Sequence, residues 1–153
     1  MPRPPRIRRT ILVTREIGPA PLMRLSNAAR VLVWDEEMPP PAPALRSALA
    51  NADAVLSMIT DKIDAGVIAG APRLRVISNL GVGVDNIDLE AATRAGIVVG
   101  HTPGMLTQTT ADLAFALLMA AARRVAEGDR YVRAGRWRTW GPKTMLGGWR
   151  QSR

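Results

Sequence analysis

The sequence predicts a doubly wound α/β layer built on a parallel sheet. Short runs rich in β-branched and aliphatic residues alternate with helical stretches from Thr10 to Val99. Each of these runs is almost continuously apolar, which is typical of strands buried on both faces of a parallel sheet. Repeated strand–helix alternation with short connections favours right-handed crossovers within one layer.

Five strands and four helices are expected, in alternating order. The strands are assigned to the apolar runs 10–14, 30–34, 54–59, 74–78 and 97–99. The helices are assigned to the stretches 21–29, 43–50, 64–69 and 88–95 between them. Asp88 and Glu90 place acidic groups at the start of the last helix, and Gly96 stands where a left-handed cap would end it.

The character of the chain changes after the fifth strand. Pro103 and Gly104 make a turn, and Thr109 with Asp112 forms a capping-box pattern. A long helix is expected from there to about Val125. This helix is apolar almost all round, so it needs neighbours on several sides to bury its surface.

The composition fits a globular domain and excludes several kinds of site. At 153 residues and 47% hydrophobic content, the chain can bury one core. It has no cysteine, which excludes disulfides, thiol catalysis and cysteine-ligated zinc. The apolar stretch 111–122 carries Asp112 and is too short to cross a bilayer. No signal-peptide pattern begins the sequence, so a cytoplasmic location is expected.

Positive charge is concentrated at the two ends of a chain whose formal net charge is +8. Clustered arginines can neutralise nucleic-acid phosphates. No nucleic-acid-binding motif accompanies them, and one phenylalanine and one tyrosine offer little surface for base stacking. We therefore interpret the arginines as solvated termini and a charged helix face, and we expect neither a nucleic-acid nor a membrane partner.

The only histidine and one acidic cluster are further candidates for chemistry. Histidine is a natural acid–base group near neutral pH, but His101 precedes a Thr-Pro pair at a strand end, without a catalytic motif. The acidic residues 35–37 have no histidine or second carboxylate group at a metal-ligand spacing, so a solvated loop is expected. The sequence therefore assigns no catalytic residue and no metal ligand.

A glycine loop at residues 81–86 follows a predicted strand and precedes a predicted helix, as a dinucleotide fingerprint would. Asn86 replaces the third glycine, and no acid follows the next strand to hold the ribose hydroxyls, so the fingerprint fails. Gly81 and Gly83 flank Val82 and let the backbone approach a ligand, and main-chain N–H groups near a helix start suit a carboxylate. The spacing alone leaves a small-anion site and a tight turn without a ligand equally open.

The middle of the chain resembles a known family through the run LRVISNLGVGVDNIDLEAATRAGIVVGHTPGMLTQTTADLAFALLMAAARR. It is similar to the D-isomer-specific 2-hydroxyacid dehydrogenases, above all their glyoxylate and hydroxypyruvate reductase branch. The resemblance implies a loop that holds the substrate carboxylate through the amides of Val82 and Gly83, with Leu80 as a wall of the pocket. Thr110 falls where the family approaches the nicotinamide. Trp140, within GRWRTWGP, resembles a tryptophan that reaches the partner subunit's active site.

The resemblance also implies a flavodoxin-like doubly wound substrate domain, followed by a long helix that leads toward a Rossmann domain. It implies NAD or NADP as cofactor, a small 2-keto or 2-hydroxy acid as substrate, and a homodimer. The family's dinucleotide glycine motif and its catalytic arginine, acid and histidine have no counterpart in these 153 residues. We assign a disordered basic lead to 1–9, the substrate domain to 10–102, a crossover helix and arm to 103–146, and an aberrant tail to 147–153.

Two functions remain open on these observations. The first is a truncated NAD(P)-dependent 2-hydroxyacid dehydrogenase, which contributes the carboxylate loop and is inactive alone. The abrupt change at residue 147 would then reflect a frameshift or a premature stop. The alternative is a stand-alone module that binds a small carboxylate, or that dimerises through the apolar helix, without catalysis.

Overall fold

The computed structural model describes residues 9–141 and confirms the α/β architecture. The strands are β1 (Thr10–Val13), β2 (Arg30–Val33), β3 (Ala54–Met58), β4 (Val76–Leu80) and β5 (Val98–Gly100). They form one parallel sheet in the order β2-β1-β3-β4-β5. This is the strand order of flavodoxin-like doubly wound sheets.

Four short helices connect the strands, and two further helices follow the sheet. They are α1 (Pro19–Ala28), α2 (Ala42–Leu49), α3 (Ala65–Ala69), α4 (Leu89–Arg94), α5 (Thr107–Ala122) and α6 (Val125–Arg133). The chain divides into two compact units between Met105 and Leu106. The first unit holds the sheet and the first four helices, and the second holds α5 and α6. No helix within residues 9–141 is long and apolar enough to cross a membrane.

One face of the sheet carries the hydrophobic core. Leu12, Val55 and Ile77 lie in register on neighbouring strands and are almost fully buried. The helices on this face contribute the buried side chains Leu45, Leu49, Val67, Ile68, Ala91 and Ala92. These residues hold α2, α3 and α4 against the sheet, because burying an aliphatic side chain removes apolar surface from water.

Side-chain caps fix the ends of the two shortest helices. The Asp64 carboxylate accepts a hydrogen bond from the Val67 N–H at 3.0 Å, and the Asp88 carboxylate accepts one from the Ala91 N–H at 2.8 Å. Each aspartate satisfies an amide that has no partner inside its own helix. Gly96 follows α4 with a φ of 68°, so the prediction of a left-handed residue there is confirmed.

The opposite face of the sheet is open along β4 and β5, and the prediction of burial on both faces is wrong for these strands. Side chains along β4 alternate between exposed and buried. Val76 is 40% exposed and Leu80 is 49% exposed, and on β5 Val98 is 66% exposed. An apolar run therefore did not distinguish a strand buried on both faces from one buried on a single face.

Three boundaries also differ from expectation. The fourth strand begins two residues later than predicted, because Leu74 belongs to a turn in which its N–H donates to the Ala71 carbonyl. The capping box at Thr109 is wrong: α5 begins at Thr107, and the Thr109 hydroxyl donates to the Leu106 carbonyl from inside the helix. The long helix ends at Ala122 rather than near Val125, and a left-handed residue, Arg124, separates α5 from α6.

Candidate functional site

The glycine loop lies at the carboxyl edge of the sheet, between β4 and α4. Leu80 ends β4, residues 81–86 form the loop, and Asp88 caps α4. A short parallel bridge between Ile63 and Ile87 closes the far end of the loop. Open α/β sheets bind their ligands outside the carboxyl ends of the strands, so the loop stands at the edge where a ligand is expected.

Side chains lie close against both loop glycines. A Cβ atom at Gly81 would collide with Cγ2 of Ile59, and one at Gly83 would lie 2.7 Å from Oδ1 of Asp85. Either side chain would have to shift to admit a larger residue. Part of the glycine pattern is therefore structural: Gly81 makes room for Ile59, and Gly83 makes room for the Asp85 carboxylate.

The three successive carbonyl groups of the loop are all held by the protein. The Gly81 carbonyl accepts a hydrogen bond from the Thr102 N–H at 2.9 Å. The Val82 carbonyl lies 2.9 Å from Nδ1 of His101, and the Gly83 carbonyl accepts one from Nδ2 of Asn79 at 2.8 Å. Each carbonyl therefore has a fixed direction.

Fixing the carbonyls also fixes the amides of the loop. In a trans peptide the N–H of one residue points opposite to the C=O of the residue before it. The anchored carbonyls of residues 81–83 therefore aim the N–H groups of Val82, Gly83 and Val84 away from their anchors. Among the residues that the structure describes, these three amides have no hydrogen-bond partner. Adjacent unpaired amides form a binding site for a small anion.

A buried polar network supports the loop from the sheet side. Oδ1 of Asn79 accepts hydrogen bonds from Oγ of Ser57 at 3.1 Å and from Nδ2 of Asn86 at 3.3 Å. Nδ2 of Asn86 also lies 3.1 Å from the Met58 carbonyl and 3.0 Å from the Asp61 carbonyl. The loop is thus tied to the ends of β3 and β4 by the buried side chains of Ser57 and Asn79 and by the half-buried side chain of Asn86.

The Asp61 side chain extends this network to β1. Its Oδ2 accepts hydrogen bonds from the Thr14 hydroxyl and from the Met58 N–H, the latter at 2.7 Å. Its Oδ1 is buried and has no hydrogen-bond partner within the described part of the chain. A buried carboxylate is stable only when such donors compensate for the loss of water, so Asp61 belongs to the structural support of this edge.

Comparison with known proteins identifies the family to which this fold and loop belong. The family model for the D-isomer specific 2-hydroxyacid dehydrogenase, catalytic domain, matches residues 11–135. The chain belongs to this family. The match includes the sheet, the glycine loop and α5, and it ends two residues after α6.

The dehydrogenase relatives are longer than this chain. It is 49% identical over 138 residues to the glyoxylate reductase of Korarchaeum cryptofilum, and the alignment spans 90% of this chain and 42% of that protein. Among solved structures it is similar to the TT0316 protein of Thermus thermophilus, with 44% identity and a TM-score of 0.85. The match covers 91% of this chain and 45% of that protein. It is also similar to the NADPH-dependent glyoxylate/hydroxypyruvate reductase of Sinorhizobium meliloti, solved in complex with NADP and malonate, with 29% identity and a TM-score of 0.69. That match covers 85% of this chain and 39% of the reductase.

The site residues predicted from the sequence fall into both units of this dehydrogenase-family chain. Leu80, Val82 and Gly83 lie together at the loop of the first unit, where Leu80 and Val82 expose 49% and 57% of their surface. Thr110 and Trp140 belong to the second unit: Thr110 is an exposed residue of the first turn of α5, and Trp140 is 73% exposed. Their roles stay predictions.

The described residues do not form a dinucleotide site of the kind the dehydrogenase family implies. Asn86, at the position of the third glycine, has its side chain committed to the buried network. The helix that follows, α4, has six residues. The residues after β5 are His101 and Thr102, which are not acids. No reaction step through a nicotinamide can therefore be built on this loop. No group of three or more histidine, cysteine or acidic side chains gathers as a metal site within residues 9–141.

The residues that shape the loop were not predicted from the sequence. His101 is a candidate acid–base group by residue type, whereas the structure places its Nδ1 against the Val82 carbonyl. Asn79 does carry a signal, because an asparagine inside an otherwise apolar strand indicates a buried hydrogen-bond partner. Asn86 shows in the sequence only as a missing third glycine.

A groove lies at the edge of the sheet opposite to the loop. It measures about 840 Å³ and runs on the open face, between the amino ends of the strands and the end of α1. Asp53 and Arg75 are part of its rim, and Ile11, Val76 and Val98 are part of its wall. The Thr10 N–H holds the pKa of Asp53 below its ordinary value, and Arg73 lowers it further against the opposing effect of desolvation. None of the predicted site residues lines this groove.

Proposed function

We propose that this chain supplies the substrate-binding half of a 2-hydroxyacid dehydrogenase. The loop would hold the carboxylate of a small 2-keto or 2-hydroxy acid through the N–H groups of Val82 and Gly83. The observation that carries the proposal is the row of three amides that have no partner within residues 9–141 and whose preceding carbonyls are all anchored. The N–H of Val84 is available as a third donor.

The names of the similar proteins support this substrate class. Glyoxylate reductases act on a two-carbon keto acid, and the Sinorhizobium meliloti enzyme was solved with malonate, a small dicarboxylate. The loop offers the N–H groups of Val82, Gly83 and Val84 as hydrogen-bond donors to a compact carboxylate. The exposed side chains of Leu80 and Val82 would form an apolar border beside it.

The part of the reaction assigned to this chain is binding and orientation. When bound in the complete enzyme, NAD or NADP would supply or accept the hydride. In the family, a G-x-G-x-x-G motif would bind the cofactor phosphates, and an arginine, an acid and a histidine would act on the keto oxygen. These groups have no counterpart in these 153 residues. Thr110 is the residue expected near the nicotinamide, and Trp140 the one expected at a partner subunit's site.

We therefore expect the 153-residue chain to bind small carboxylates weakly, with a dissociation constant in the millimolar range or above. We expect it to show no oxidation of NADH or NADPH with glyoxylate or hydroxypyruvate. Turnover clearly above a buffer control, and lost on Gly83→Trp, would contradict this expectation.

A titration with matched ligands tests the proposed site. Amide ¹H–¹⁵N spectra of the chain are recorded with glycolate and, separately, with glycolamide, which has the same shape but no charge. Glycolate is expected to shift the amides of Val82, Gly83 and Val84 most strongly, and glycolamide is expected to leave them nearly unchanged. Equal shifts with both ligands, or shifts confined to other regions, would refute carboxylate binding at the loop.

The second candidate is an association module built on α5. This helix has no buried residue, and the apolar side chains Leu113, Phe115, Leu117, Leu118 and Met119 are each at least 45% exposed. Large exposed apolar surfaces of this kind favour association. Size-exclusion chromatography with light scattering decides the matter: a defined dimer that dissociates on Phe115→Asp supports the module, whereas a stable monomer excludes it.

A further inference from the structure

The only histidine of the chain touches the proposed carboxylate loop. His101 follows β5, which pairs with β4, so it stands beside the end of the strand from which the loop emerges. Its Nδ1 lies 2.9 Å from the carbonyl oxygen of Val82, and its side chain is otherwise exposed. A single side chain is thus in contact with the central peptide of the loop.

The chemistry of this contact fixes the proton on the imidazole ring. A carbonyl oxygen has lone pairs and no hydrogen, so it can only accept a hydrogen bond. Nδ1 of His101 must therefore carry a hydrogen whenever this contact is formed. In the neutral ring the other nitrogen, Nε2, is then the unprotonated one.

The contact acts on the peptide that joins Val82 to Gly83. The C=O of Val82 and the N–H of Gly83 belong to the same planar unit and point in opposite directions. By holding the carbonyl, His101 directs the Gly83 N–H away from itself. The Gly83 N–H is one of the two donors assigned to the substrate carboxylate.

We infer that His101 is a positioning residue of the carboxylate site, which aims the Gly83 N–H by holding the Val82 carbonyl. The inference rests on the proposed function and adds a residue to it. His101 acts through the backbone and transfers no proton in this role.

The other two anchors of the loop differ from His101 in kind. Gly81 is held by the backbone N–H of Thr102, which no ordinary side-chain substitution removes. Gly83 is held by Asn79, which is 1% exposed and shares its amide with Ser57 and Asn86. His101 is the anchor that can be replaced without opening the core, because its side chain is exposed.

Two substitutions separate the hydrogen bond from the bulk of the side chain. In His101→Asn, the amide nitrogen is bonded to Cγ just as Nδ1 is in histidine, so a donor stays at nearly the same position. In His101→Leu, a methyl group takes that position and no donor is left. Wild type and both variants are titrated with glycolate while the Gly83 amide is observed, and its backbone order parameter is measured without ligand.

The inference predicts a loss in one variant and a rescue in the other. His101→Leu should raise the dissociation constant for glycolate about threefold to tenfold, the effect of losing one hydrogen bond. The Gly83 order parameter should also fall below the value of about 0.85 that is typical of rigid backbone. His101→Asn should restore both quantities to near their wild-type values. The spectra of the β-sheet amides should be the same in all three proteins.

The two readouts distinguish failure of this inference from failure of the proposed function. If wild type binds glycolate and His101→Leu binds it equally well, His101 does not position the donor and the inference is wrong. If wild type binds no glycolate, the proposed function fails, and the order parameter alone decides whether His101 holds the Val82 peptide. An unchanged order parameter in His101→Leu would then overturn the inference too.

Discussion

The two faces of the sheet follow different rules of packing, and adjacent residues of β4 show it. Ile77 points to the face covered by α2, α3 and α4 and is completely buried, whereas its neighbour Val76 points to the other face and is 40% exposed. Both residues are β-branched and aliphatic. Their environments differ because side chains alternate across a strand and helices pack tightly over only one side of it here.

The covered face also carries the polar groups that support the candidate site. Ser57 and Asn79 pair in register on β3 and β4, are buried, and hydrogen-bond to each other. On the open face the corresponding residues of β4, Ser78 and Leu80, are exposed. The contribution of Asn79 to holding the loop therefore comes from the side of the sheet that excludes water, where a hydrogen bond is strongest and an unmade one is most costly.

The largest expected difference between the two faces is in the energetics of apolar packing. Ile77→Ala should lower the free energy of unfolding of the first unit by about 2–5 kcal/mol, because it leaves a cavity in a packed core. Val76→Ala, the matched control on the open face, should lower it by less than about 1 kcal/mol. Native-state hydrogen exchange of the β3 and β4 amides measures both. Equal losses would show that the open face is covered in solution.

A smaller effect is expected from the polar part of the covered face. Asn79→Leu should cost about 1–3 kcal/mol, because the Gly83 carbonyl and the side chains of Ser57 and Asn86 lose a partner in a buried place. It should also weaken glycolate binding at the loop. Ser78→Ala, one residue earlier on the open face, should change stability by no more than about 0.5 kcal/mol. If Asn79→Leu left the dynamics of the loop amides unchanged, the buried hydrogen bonds of Asn79 would not be what holds the loop in place.

The smallest effect is expected at the amino edge, where Asp53 lies beside the groove of the open face. Its pKa in the folded protein is lowered by the Thr10 N–H and by Arg73, so its ionised form stabilises the fold. This stabilisation is complete above the ordinary aspartate pKa of about 3.9 and is lost as the pH falls through the folded pKa. Asp53→Asn should therefore be less stable than wild type at pH 7, with a difference that vanishes in strong acid.

The control for this prediction is an exposed ion pair of the second unit. Asp129 contacts Arg133 one helical turn away, with both side chains more than half exposed. Asp129→Asn should change stability by about 0.5 kcal/mol or less at either pH, because solvent weakens such pairs. Urea unfolding at pH 7 and at acid pH compares the two variants. A difference for Asp53→Asn that persists at low pH would show that its effect is not ionic.

Much of the fold could be predicted from local patterns. All five strands and the four helices between them lie within about two residues of their predicted positions, and Gly96 ends α4 as its residue type indicated. The start of β4 was misplaced because Leu74 is buried in a turn and looks like a strand residue by composition alone. The end of β4 was cut short because Asn79 is a poor strand former in isolation. Only its partners on β3 and in the loop make it stable there.

The second unit shows where local patterns fail. Thr109 and Asp112 have the spacing of a capping box, yet the helix begins at Thr107, and Thr109 donates to Leu106 instead of accepting from an amide. Arg124 adopts a left-handed conformation that arginine seldom takes, so its residue type gave no signal of it.

The sequence by itself determined the α/β class, the order of its elements, the family resemblance and the location of the loop, because apolar periodicity and glycine positions are local properties. The tertiary structure decided which face of the sheet is buried and which side chain, that of Ile59, lies against Gly81. It also decided how Asn79, His101 and the Thr102 amide hold three carbonyls and leave three amides without a partner among the described residues. These three contacts join residues that lie between 4 and 21 positions apart in the chain. The contacts of His101 and Thr102 follow from the pairing of β5 with β4, which the order of residues does not state.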